Sequence, residues 1–128
     1  MKLLLDTHAL LWWFTDDPRL SAPARRAIGD GDNVVLVSAA SAWEIAIKHR
    51  LGKLGEARAV IPRYDELCAA DGFTHLPITR AHAFMAGSIS AMHRDPFDRM
   101  LAAQAHIEDA HLVSCDAAIA ALGIDPLW

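Results

Sequence analysis

The sequence predicts an α/β domain, a mainly parallel sheet covered by helices on both faces, and three observations carry that expectation. KLLL at 2–5 and VVLV at 34–37 are short apolar runs without polar alternation, as strands buried on both faces require. Segments of helical periodicity fill the gaps between such runs, the alternation that makes parallel strands joined by crossover helices. Cap and stop residues fall at the joints: Ser21 and Thr79 at helix starts, Gly29, Gly72 and Gly123 at helix ends.

In chain order, the first strand, 2–5, is closed by Asp6 and followed by a helix near 7–14. Ser21, ahead of Ala22 and Pro23, starts a helix over 21–29. The second strand, 34–37, is the richer in β-branched residues and leads into a helix over 39–51. A helix near 58–71 and a weaker strand from Phe73 to Ile78 come next, then a helix over 79–91. In HRDPFDRMLAAQA, 93–105, Asp95 suits an N-cap, because its side chain can accept from the free first-turn amides while Pro96 fills a position needing no N–H. Asp98 then lies in the first turn of a helix over 96–108, near the positive end of its dipole. His111–Ser114 reads as a strand, 116–122 as a short helix, and Ile124–Trp128 as an edge strand where Pro126 is tolerable.

A length of 128 residues implies a single domain, 1–128, burying roughly two-thirds of the surface its unfolded chain exposes. Cys68 and Cys115 form no CxxC pair and sit in apolar surroundings, so both are expected as buried free thiols in a reducing, cytoplasmic setting. MKLLLD begins like a secretion signal, but Asp6 interrupts the apolar run and no small-residue cleavage site follows. No run approaches the roughly 18 apolar residues of a membrane helix, so no membrane association is expected. Lys and Arg total 12 against 16 Asp and Glu, a formal charge of −4, which argues against a nucleic-acid binder working by basicity alone. Nucleic acid is still admissible if some acids hold cations, since those would supply positive charge where phosphates bind.

Open parallel sheets bind ligands beyond the carboxyl ends of their strands, and that rule makes certain acids informative. Asp6 follows the first strand and Asp116 follows the strand ending at Ser114 and Cys115, so both should project at one edge of the sheet. Glu44 lies about one and a half turns into the helix after the second strand, and Asp98 starts the helix that leads back to the Asp116 strand. Each acid also has a structural use. Asp6 and Asp116 can cap the helices that follow them, Glu44 can pair with Lys48 at i,i+4, and Asp98 can serve a helix dipole. Four such acids on one edge point jointly to a metal site. Crowded carboxylates need cations or raised pKa values, and hard oxygen donors without cysteine or paired histidine favour Mg²⁺ or Mn²⁺ over zinc. Ions of that kind support phosphodiester hydrolysis by activating water and neutralising the leaving oxygen.

Four blocks, LLLDTHALLWW, SAASAWEIAIKHRLGKL, HRDPFDRMLAAQA and LVSCDAAI, together resemble the PIN-domain ribonucleases, specifically the toxins of VapBC-type toxin–antitoxin pairs. The resemblance implies that Asp6, Glu44, Asp98 and Asp116 are the catalytic metal ligands. It also implies that Thr7 and Ser114 are the small hydroxyl residues that support them. Asp98 fits the third acid's place better than Asp95, which is left mainly to the cap with a possible share in the site. The family resemblance further implies a PIN-like three-layer fold of about five strands and cleavage of RNA with Mg²⁺ or Mn²⁺. Homodimerisation and inhibition by a cognate antitoxin, whose C-terminal segment enters the acidic groove, are implied as well. Lys48, Arg50 and Lys53 are candidates for meeting RNA phosphates, or equally a solvated helix end whose cations complement its dipole. Trp12 and Trp13 read as core and dimer surface rather than base-stacking platforms, since no basic residues interleave with them. His93 and Arg94 lie close enough to Asp98 in sequence to touch substrate, and no His-x-x-x-His pair occurs among the seven histidines.

Two rivals belong to other classes. A phospho-receiver domain also gathers acids and Mg²⁺ at strand ends, but it needs an acceptor Asp after a central strand and a Lys after a later one; the third strand candidate ends LeuProIle with no Asp, and the Asp116 strand is followed by no such Lys. A non-catalytic interaction protein of the same fold would have no use for all four acids. A haloacid-dehalogenase-type phosphatase wants DxDxT where this chain has DTH.

Overall fold

The computed structural model describes residues 1–90 and 92–128. Its strands are β1 (Lys2–Leu5), β2 (Val34–Ser38), β3 (Thr74–Leu76) and β4 (His111–Val113). All pairings are parallel, in the order β3-β2-β1-β4. The helices are α1 (Thr7–Phe14), α2 (Ala22–Gly29), α3 (Ala39–Arg50), α4 (Ala57–Val60), α5 (Tyr64–Ala70), α6 (Arg80–Ser88) and α7 (Pro96–Ile107). Short 3₁₀ segments cover Ile61–Arg63 and Ala117–Leu122.

Alternation along the strands builds two cores. Leu3 and Leu5 of β1, with Val35 and Val37 of β2, pack against Leu10 of α1, Ile28 of α2, Ile45 of α3 and Cys68 of α5. Leu4 and Leu36 face the other way, onto Leu101 and Ala105 of α7, Leu112 of β4 and Ile119. The three leucines of β1 are fully buried, each contributing about 1.5–3 kcal/mol of burial free energy. This is the three-layer arrangement expected from continuous apolar strands.

The sheet has four strands rather than about five. The expected edge strand at 124–128 is reduced to a single parallel bridge between Val113 and Leu127. Leu127 N donates to Leu112 O at 2.9 Å and Ser114 N donates to Leu127 O at 3.2 Å. Pro126 has no N–H to donate, so the ladder cannot extend along the chain. The helix expected over 58–71 is likewise divided into α4, a 3₁₀ turn and α5. Pro62 sits in that turn, lacks a donor and crowds the carbonyl four residues back. The short helix near 116–122 is 3₁₀ and ends at Gly123, whose φ of 80° is a left-handed stop that glycine adopts without strain. The helix expected over 79–91 closes at Ser88, and its last expected residue, Ala91, lies outside the described residues. Among the described residues, no helix is long and apolar enough to cross a membrane.

Chain order and strand order together locate a site. From the centre the chain winds outward through β2 and β3, then returns to place β4 on the other flank of β1. The reversal opens a crevice between the carboxyl ends of β1 and β4, the switch point where parallel sheets bind ligands.

Candidate metal centre

Asp6 ends β1 at that crevice and caps α1, accepting from Ala9 N at 2.8 Å. Burial is the largest influence on it and pushes its carboxyl up to about 6, against the Ser114 hydroxyl, the Ala9 amide and His8, which all favour the ionised form. From the neighbouring strand end, Ser114 is fully buried and its Oγ accepts from Asp116 N at 3.1 Å. Asp116 in turn caps the last 3₁₀ segment, accepting from Ala118 N at 2.9 Å.

Glu44 comes from α3, which Ser38 caps at the end of β2. It is only 5% exposed. Thr7 donates its hydroxyl to Glu44 Oε1, and the Lys48 ammonium pairs with Oε2 one turn on. Partial burial opposes the charge on Lys48, yet Glu44, Asp95 and Asp98 outweigh it and hold the ammonium above its ordinary value.

Asp98 lies in the first turn of α7, where Asp95 is the cap, accepting from Phe97 N at 2.9 Å and Asp98 N at 3.3 Å. Burial raises the Asp98 carboxyl, a contact with His93 lowers it, and the charges of Asp95 and Asp116 raise it again.

Asp6, Glu44, Asp98 and Asp116 thus line one cleft of about 80 Å³. Thr7, Lys48 and Asp95 share its wall, as do His8 and Cys115. Among the described residues, larger hollows lie elsewhere, including an apolar one of about 200 Å³ lined by Trp43 and Phe97, whose lining carries one charged residue, Arg99, against the cleft's five carboxylates. Each of the four acids also keeps its structural use, so capping and clustering coexist. Arg50 and Lys53 are exposed and outside the cleft lining, and Lys48 is engaged by Glu44. Trp12 is core, 8% exposed and edge-on to Trp128 at 5.9 Å, whereas Trp13 is half-buried and donates its indole N–H to Asp71 at 2.9 Å. Cys68 is buried as expected. Cys115 is exposed, contrary to expectation, because it follows β4 where the chain leaves the sheet.

Sequence reasoning placed His93 only close enough to Asp98 to touch substrate. Its Nε2 lies 2.8 Å from Asp98 Oδ2. One ligand atom each from His93, Asp98 and Asp116 falls within 4.8 Å of the others, a spacing able to hold a metal ion. The five carboxylates on the wall face one lysine, and at least two of them are destabilised as anions, so the donor set suits a hard divalent cation.

The class defined by this fold and cleft is an α/β protein with an acidic centre at the switch point of a parallel sheet. The PIN domain family matches residues 3–124, and the chain belongs to that family. It is 41% identical over 69 residues to Ribonuclease VapC16 of Mycobacterium tuberculosis, a match covering 51% of this chain and 49% of the relative. The chain therefore spans about half the length of that curated relative. Two solved structures share the fold at low identity. VapBC2 from Rickettsia felis, bound to a DNA fragment from the promoter, aligns with a TM-score of 0.71 at 13% identity over 100% of both chains. FitAcB from Neisseria gonorrhoeae aligns with a TM-score of 0.67 at 18% identity, covering 98% of this chain and 96% of that one.

Proposed function

We propose that this protein is a metal-dependent endoribonuclease acting in the cytoplasm as the toxin of a type II toxin–antitoxin pair, with Asp6, Glu44, Asp98 and Asp116 holding Mg²⁺ or Mn²⁺. The observation that carries the reading is the convergence of four acids from β1, α3, α7 and the end of β4 on one cleft. When bound, a divalent ion supplies positive charge to phosphate oxygens and makes water more acidic.

The chain's own groups do the rest. Thr7 fixes the rotamer of Glu44 from one side and Lys48 holds it from the other, so a buried carboxylate stays aimed into the cleft. Ser114 bridges the two strand-end acids, touching Asp6 and accepting from the amide of Asp116. Asp95 ties down the first turn of α7 and thereby sets Asp98. Arg50 and Lys53, exposed beyond the cleft, are available to RNA phosphates. The fold shared with VapBC2, and the name of the partial relative, support the pairing with an antitoxin and the RNA substrate. Exposed Trp43, Phe84 and Met92, at 58%, 72% and 89%, support a protein partner or second copy covering apolar surface.

The test is cleavage of a mixed RNA pool by purified, antitoxin-free protein in Mn²⁺, beside Asp98→Asn and an EDTA control. Cutting by the wild type that disappears in both controls is expected. Cutting that survives EDTA or Asp98→Asn would remove the ion, or that residue, from the reaction.

A further inference from the structure

The carboxylates account for the oxygen donors of the cleft, but a nitrogen also stands beside two of them. His93 Nε2 is 2.8 Å from Asp98 Oδ2, and with an Asp116 oxygen the three donor atoms lie within 4.8 Å of one another. Ligand atoms about one small divalent ion stand roughly 3 to 4 Å apart, so these three need draw together only slightly to share one coordination sphere.

The ring is held in place rather than hanging from a surface loop. Arg99, the residue after Asp98, donates from Nη1 to His93 O at 3.0 Å and from Nε to Ala86 O at 3.1 Å, and its remaining nitrogen reaches Ile89 O. Two consecutive residues at the start of α7 therefore grip His93, one by its ring and one by its carbonyl. The His93 side chain is 19% exposed and that of Asp98 16%, so the pair is drawn in toward the cleft. An ordinary surface histidine beside an aspartate would have neither that anchorage nor a second carboxylate within range.

We propose that His93 is a nitrogen ligand of the divalent ion, forming with Asp98 and Asp116 a mixed nitrogen and oxygen donor set that favours Mn²⁺ over Mg²⁺. The inference rests on the metal reading of the site given above. Mg²⁺ takes oxygen ligands and sheds water reluctantly, whereas first-row transition ions accept imidazole readily. As a ligand, Nε2 would give up its contact with Asp98, and the neutral ring would carry its proton on Nδ1.

The experiment uses the full chain, stripped with EDTA and titrated with Mn²⁺ alone, and reads the electron spin-echo modulation of the bound ion. Nitrogen modulation is expected in the wild type, lost in His93→Gln and kept in His8→Gln, the histidine that lines the cleft wall itself. The Mn²⁺ Kd should rise at least about tenfold in His93→Gln, while the Mg²⁺ Kd, measured by competition, changes less than about threefold. Bound Mn²⁺ without nitrogen modulation, or modulation that persists in His93→Gln, overturns the assignment and leaves the metal reading intact. Equal loss of both affinities would make His93 a residue that only orients Asp98. Failure of the wild type to bind Mn²⁺ at all overturns the metal reading itself, and the assignment falls with it.

Discussion

Asp6 shows at the residue scale how a cap and a candidate ligand share one carboxylate. Its folded pKa, about 6, is raised from 3.8, so its contribution to stability is present below about pH 4 and is lost as pH rises through about 6. Without a cation, the ionised group therefore opposes folding at neutral pH. Asp6→Asn keeps the cap and removes the charge, since Asn caps as well as Asp. The variant is expected to gain about 1–3 kcal/mol of metal-free stability at pH 7, read by urea denaturation, and to lose the part of the slope between pH 4 and 7 that Asp6 contributes. A loss at pH 7 would mean that the carboxylate is not destabilised as an anion. Asp95→Asn also preserves its cap, and its RNA cleavage should stay well above that of Asp98→Asn in the same assay. Equal losses would make Asp95 a ligand and reverse the choice between the two.

At the scale of elements, one buried polar chain joins the helices that carry Glu44 and Asp98. Ser38, cap of α3, donates to Gln104 Oε1 of α7 at 2.6 Å, and Gln104 Nε2 reaches Pro77 O and His82 Nδ1, both at 3.3 Å. Thr79 N donates to the same Nδ1 at 3.0 Å, so a neutral ring carries its proton on Nε2, facing Glu108 at 3.1 Å. Gln104 and His82 are 0% and 1% exposed, and an apolar replacement would strand their partners away from water. Gln104→Leu should cost about 2–4 kcal/mol in urea denaturation, from more than one unsatisfied buried group. A cost below about 1 kcal/mol would show that this chain does not constrain α3 against α7. The strands and most helix starts were legible in advance because capping and period are local: Ser21, Thr79 and Asp95 accept from first-turn amides as their positions imply. The break at Pro62 and the loss of a fifth strand at Pro126 follow from a missing donor that the overall period had masked.

The whole molecule links ion and fold. An ion that binds only the folded chain stabilises it by mass action, about 2.7 kcal/mol at a hundred times its Kd. In the proposed ligand set Asp6 binds as the carboxylate, and at pH 5 a carboxyl with pKa about 6 is mostly protonated, so binding there would first expel a proton. Saturating Mn²⁺ should therefore raise Tm at pH 7 by on the order of 5–10 °C, and by less at pH 5. A larger shift at pH 5, measured by calorimetry, would contradict a ligand role for Asp6.

The sequence by itself determined the α/β class, the strands from which Asp6 and Asp116 emerge, and the four acids at one edge, because apolar runs and caps are properties of neighbouring residues. The strand order β3-β2-β1-β4, and with it the crevice that brings β1 and β4 together, was decided only by tertiary structure. So was the meeting of His93 with Asp98 and Asp116, along with the exposure of Cys115. The physical reason is that these features depend on which distant segments pack side by side, and local periodicity carries no term for contacts between residues far apart in the chain.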